Sequence, residues 1–275
     1  MRPFDYAMEA AQKHRRRLLL LFIAGNFAGL AADCTLAHWS IGFYHPGMYL
    51  SALWPALAAL AAAAFVPFEP RRFGKSVLYA TAGASLVVGL LGLLWHLSGQ
   101  FFAEPAFASL IYSAPLFGPA VISIFGVTLY LYIRSGSRDV FRPLASVAAV
   151  SCLGLAIMAY QDHAQNGFWI WTEWVPVLAG VFSAAVLGFY AWKRPLPGAE
   201  RSLVLSVAVL VLLVGVIGTV YHVSAFFSFP TPLRERFALL APPFAPLLYC
   251  DAAVFIGLTG LWFGGKAVKR LKTDR

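Results

Sequence analysis

Apolar residues in this chain fall into long unbroken runs, separated by short segments that carry most of the arginine and lysine. Eight runs stand out, at roughly 17–37, 48–67, 76–97, 106–133, 144–162, 174–192, 202–222 and 237–263. Each is near the ~20 apolar residues a helix needs to cross ~30 Å of hydrocarbon. They are too long and too uniformly apolar for the two-residue alternation of a barrel strand. Only helices and closed barrels satisfy every backbone polar group inside lipid. The pattern therefore predicts an all-α integral membrane protein with eight transmembrane helices.

The runs also repeat. Gly89, Gly92, His96, Ser98 and the pair Phe101–Phe102 recur in order as Gly215, Gly218, His222, Ser224 and Phe226–Phe227. Ala114-Pro115, Phe117 and Pro119 recur as Ala241-Pro242, Phe244 and Pro246. Upstream, Gly29-Leu30-Ala31, His38 and Gly42-Phe43 match Gly154-Leu155-Ala156, His163 and Gly167-Phe168. The offsets are 125, 126 and 127 residues, so single-residue insertions keep the copies in register. Self-similarity of this extent marks a duplicated unit. Two four-helix repeats are expected, 1–135 and 136–275, joined by the polar segment Arg134–Asp139. Four spans is an even number, so the copies run parallel and are related by a pseudo-twofold axis along the membrane normal.

Composition agrees with this reading: 60% of residues are hydrophobic and 12% charged, with a mean hydropathy of +0.73. The net charge of +9 could indicate nucleic acid, but its placement excludes that. With the N-terminus in the cytoplasm, 19 of the 21 basic residues fall in cytoplasmic segments, leaving only Arg234 and Arg236 outside. This positive-inside asymmetry predicts a bacterial-type inner membrane protein with both termini cytoplasmic, the lipid bilayer as its main partner and no nucleic acid. Residues 15–32 have the look of a signal peptide. They align with the helix before His163, however, which must be a retained span. Cys34, Cys152 and Cys250 form no CxxC, and there is no CxxCH for covalent haem attachment.

On this topology His38, His96, His163 and His222 lie at the periplasmic ends of helices one, three, five and seven. Positions i−4 and i−7 share a helix face with residue i. Below the four histidines these are Cys34 and Ala31, Gly92 and Gly89, Ala159 and Ala156, and Gly218 and Gly215, all small. Small stripes let membrane helices approach closely. They also leave room for a flat apolar group, and a b-type haem with axial histidines is such a group. A metal ion (copper, iron or zinc) held by the same histidines with Asp162 and Glu173 is the alternative, though no compact ligand motif such as HExxH is present. Aromatic residues crowd the outer loops, as an interfacial belt would. Asp251, inside the eighth run, is expected to be protonated and hydrogen-bonded to a neighbouring helix, or else to relay protons.

Two four-helix bundles with a histidine pair in each resemble the plan of haem A synthases and other membrane b-type cytochromes. Those synthases carry their histidines on the even-numbered helices, unlike this chain, so the likeness is one of plan and not of motif. A plan of that kind implies a membrane redox protein with quinone or another membrane redox partner. A small transporter or permease working along the pseudo-twofold axis, or a non-catalytic subunit of a membrane complex, are the other function classes. No Walker loop, GxSxG elbow or dinucleotide fingerprint is present.

Overall fold

The computed structural model describes residues 3–136, 139–193, 199–240 and 243–262. Its helices are α1 (Pro3–Ile41), α2 (Pro46–Ala63), α3 (Arg72–Gly99), α4 (Phe107–Ile111), α5 (Phe117–Arg134), α6 (Phe141–Gln165), α7 (Trp174–Trp192), α8 (Ala199–Ser228), α9 (Leu233–Leu239) and α10 (Leu247–Gly260). No strand occurs among the described residues. Seven of the helices are long and apolar enough to cross a membrane. The chain is a polytopic helical membrane protein.

The fourth and eighth predicted spans are not continuous. The run at 106–133 divides into α4 and α5, and the run at 237–263 into α9 and α10. Prolines cause both divisions. Pro115 lies in the first break and Pro243 in the second, each without an N–H and crowding the turn before it; the helix restarts with Pro119 in the first turn of α5 and Pro246 at the N-cap of α10. α10 has only 14 residues, about 21 Å of helix, short of the ~30 Å hydrocarbon core. Within the predicted eighth run, residues 241, 242 and 263 lie outside the described residues.

The first break is held by one side chain from the other half of the chain. Gln161, nearly fully buried on α6, donates from Nε2 to the carbonyls of Leu110 (2.9 Å) and Ser113 (3.0 Å). Its Oε1 accepts from the Leu116 N–H at 3.2 Å. Irregular backbone at membrane depth is tolerated only where protein satisfies it in this way.

Within the first half α1 lies along α2 and α3 along α5; within the second, α6 lies along α7 and α8 along α10. The halves meet through α1, α5, α6 and α10. The short outer helices cross over, α4 resting on α6 and α9 on α1. Phe22 of α1 stacks on Phe255 of α10 at 5.6 Å and tilts against Phe125 of α5 at 5.9 Å, so aromatic rings fill the seam.

Between lipid-immersed helices the hydrophobic effect supplies little drive, and close van der Waals packing replaces it. Glycines make that possible here. A Cβ on Gly89 of α3 would sit 2.6 Å from the Ser123 backbone nitrogen and 2.7 Å from the Pro119 carbonyl of α5. A Cβ on Gly215 of α8 would sit 2.7 Å from the Cys250 nitrogen and 3.1 Å from the Pro246 carbonyl of α10. One turn along, Gly92 faces Pro119 and Gly218 faces Pro246, with Cβ separations of 2.7 and 2.9 Å.

Candidate functional site

All four candidate histidines are half-buried near the same end of the molecule, in or just before the last turns of α1, α3, α6 and α8. They lie in two pairs, each within one half. The His163 and His222 rings are 6.4 Å apart between centroids and nearly perpendicular, at 87°. His38 and His96 are close enough to interact electrostatically.

Helix termination positions the first member of each pair. α1 ends when Gly42 turns to φ +98° and Phe43 to +48°; α6 ends when Gly167 turns to +72° and Phe168 to +52°. The Phe43 and Phe168 N–H groups bond back to the His38 and His163 carbonyls, both at 3.1 Å, a left-handed C-terminal cap. Glycine takes this conformation freely. Phenylalanine does so at a cost of about 1–2 kcal/mol. Backbone strain of this kind gathers at functional sites.

In both halves the strained phenylalanine lies near the histidine, with Phe43 6.0 Å from His38 and Phe168 6.2 Å from His163. Each is backed by another ring. Phe43 stacks on Tyr49 at 4.7 Å, and Phe168 on Trp174 at 4.0 Å. Composition alone assigns these rings to an interfacial belt. The belt assignment suits Trp169 and Trp171, which are largely exposed, but Phe43 and Phe168 are parts of the histidine sites. The signal that finds them is the His-x3-Gly-Phe spacing shared by the two halves.

Hydrogen bonding orients the second members. His96 Nδ1 lies 2.8 Å from the Pro115 carbonyl, in the break between α4 and α5. A carbonyl can only accept, so Nδ1 carries the proton, and in the neutral ring the Nε2 lone pair is free. Metal-binding histidines are usually fixed in this way by a carbonyl or carboxylate on the far nitrogen. His163 Nδ1 has a carboxylate near it, Glu173 Oε2 at 3.9 Å. Two buried polar atoms without a hydrogen bond lie at these pairs, His38 Nδ1 in one half and Glu173 Oε2 in the other.

One expectation needs correction. The glycine stripes below His96 and His222 are not vacant grooves, because Pro119 and Pro246 fill them. Asp162 does not join His163, because adjacent residues diverge by about 100° around a helix; it lies near Tyr249 of α10 instead. Among the described residues no three His, Cys, Asp or Glu side chains gather closely enough to hold a metal ion by themselves. No known protein family, curated protein or solved structure matches this chain significantly. The reading of the site therefore rests on its own chemistry.

Proposed function

We propose that this is a membrane redox protein in which each histidine pair, His38 with His96 and His163 with His222, supplies the two protein ligands of a b-type haem or of a copper or iron ion. The observation that carries the proposal is the separation of His163 and His222. Imidazole nitrogens bind transition metals at ~2.0–2.1 Å, so two rings on opposite sides of one metal have centroids roughly 6 Å apart. The observed 6.4 Å matches that spacing. Haem iron needs only two axial side chains, the number each half offers. The free Nε2 of His96 and the buried, unbonded His38 Nδ1 also suit a ligand.

The packing limits where a macrocycle would fit. The α3–α5 and α8–α10 seams are closed by proline against glycine, so the ring would lie on the α1 and α6 sides, beside Phe43 and Phe168. A bound haem or metal would supply one-electron transfer, for which quinone is the natural membrane partner. The protein's own part is to fix the imidazoles and shield them with the stacked aromatic rings.

Absorption spectroscopy and elemental analysis of the purified full-length protein test this. His222→Ala should halve the bound haem or metal while leaving the first half loaded, and His96→Ala should do the reverse. Protein with neither a haem spectrum nor stoichiometric metal would refute the assignment.

The same reading takes the chain as eight spans in two parallel repeats, 1–135 and 136–275, about a pseudo-twofold axis, in a bacterial-type inner membrane. The equivalent glycine–proline contacts and equivalent histidine–phenylalanine caps support the duplication. The 19-to-2 distribution of basic residues supports cytoplasmic termini. A phosphatase reporter fused after Arg275 should stay inactive and a fluorescent-protein fusion at the same point should glow; the opposite pattern would invert the topology.

A further inference from the structure

Where the two halves meet, α1, α5, α6 and α10 surround a cavity of about 50 Å³. Its walls are apolar, with Phe22 and Phe255 among them, apart from Asn26, Thr128, Ser151 and Asp251. Each of the four helices contributes one polar residue. Asn26, Thr128 and Ser151 lie near the middle of spans Glu9–Ile41, Phe117–Arg134 and Phe141–Gln165, so the cavity is at mid-membrane depth.

The hydrogen-bond inventory of this cavity is unbalanced. Thr128 and Ser151 spend their only side-chain hydrogens on the carbonyls of Ile124 and Val147, one turn back on their own helices. Asn26 gives one of its amide hydrogens to the Phe22 carbonyl. The hydrogen-bonding capacity left on these four side chains is mostly oxygen lone pairs. Asp251 was expected to bond to a neighbouring helix, but it has no hydrogen-bond or ion-pair partner among the described residues. Among the described residues no lysine, arginine or histidine lines the cavity. Cys250, its neighbour on α10, lies near the Leu212 carbonyl instead, at 4.0 Å.

A carboxylate among lone pairs at the centre of a bilayer needs a positive charge beside it. Oxygen-only donors select hard cations. The volume exceeds the roughly 10–15 Å³ that one water requires and falls far below the ~300 Å³ of a small-molecule pocket. We infer that this cavity is a site for a small monovalent cation, sodium or a proton, with Asp251 as its counter-charge and Asn26, Thr128 and Ser151 as neutral oxygen ligands. The site is separate from the histidine pairs, and a cation held at the junction of the halves would couple their packing to ion occupancy.

The test is thermal unfolding of the full-length protein in detergent, with sodium chloride compared with choline chloride across a pH series. A bound ion stabilises the folded state in proportion to the logarithm of its concentration over Kd. For a sodium site, Tm rises with sodium at neutral pH, acid abolishes the rise, and Asp251→Asn weakens apparent sodium affinity roughly a hundredfold. For a proton site, salt identity has no effect, but a pH-dependent Tm shift and an infrared carboxyl band are present and both vanish in Asp251→Asn. Should Asp251→Asn fail to fold, Ser151→Ala and Asn26→Leu serve instead: they weaken sodium affinity for a sodium site or shift the carboxyl band for a proton site. Tm responses to sodium and pH that are absent, or unchanged in all these variants, overturn the inference.

Discussion

Replacing Gly89 by valine should lower Tm by about 10 °C, and replacing Gly215 by valine should do nearly the same. At both positions the neighbours that a Cβ would meet include backbone atoms of the facing helix, which cannot rotate away. Alanine alone would bring carbon to 2.6 Å from the Ser123 nitrogen in α5, or to 2.7 Å from the Cys250 nitrogen in α10. The helices must then separate. Overpacking typically costs 1–3 kcal/mol and occasionally more; a branched side chain wedged against backbone belongs at the upper end. About 3 kcal/mol in a chain of this size corresponds to roughly 10 °C. Gly25→Ala and Gly83→Ala are the controls, since a Cβ at either meets nothing within 4 Å. They should be neutral or slightly stabilising, because alanine is the better helix former. Thermal unfolding of the detergent-purified variants decides it, and a Gly89→Val protein as stable as the Gly25→Ala control would show that α3 and α5 do not touch there.

Gln161→Leu should cost about 2–4 kcal/mol. The substitution nearly preserves volume but leaves the Leu110 and Ser113 carbonyls and the Leu116 N–H without their partner at the α4–α5 break. An orphaned buried backbone group costs ~1–3 kcal/mol, although hydrogen bonds between membrane helices average nearer ~0.6 kcal/mol. Three at once fall between those limits. Gln161→Glu should be no better, since a carboxylate keeps the acceptor for Leu116 but cannot donate to the carbonyls. Gln165→Leu loses a single exposed bond to the Ile111 carbonyl and should cost under about 1 kcal/mol. Denaturant titration of the three variants would show the order. Equal losses for Gln161→Leu and Gln165→Leu would mean that Gln161 does not hold the break. The second half has no counterpart, because Leu36 occupies the position equivalent to Gln161. There Arg236 instead tethers α9, donating from Nε to the Thr231 carbonyl at 2.7 Å and from Nη1 to Phe226 at 3.3 Å.

The contrast between Gln161 and Leu36 shows what a linear reading can find. The sequence places Gln161 among polar residues near the outer end of a span but cannot assign its work, because its partners lie 45 to 51 positions away. The glycines present the same difficulty in reverse. Small residues below a histidine read equally well as a slot for a flat ligand or as a packing face. Only the neighbouring helix distinguishes the two, and at Gly92 and Gly218 it is a proline ring that fills the space. Phe43 and Phe168 are ordinary belt aromatics on paper; the left-handed turn after each helix brings them beside His38 and His163.

Amino-acid order by itself determined the helical membrane character and most span boundaries, and it marked the four histidines as candidates. Those properties are local: transfer of an apolar run into lipid depends on the run alone. Pairing of His163 with His222, closure of the glycine stripes, the lack of a partner for Asp251 among the described residues and the cavity it lines were decided only in three dimensions. Each depends on which helix faces which and in what register, and between helices already in lipid that choice is made by shape and by a few polar contacts from distant segments.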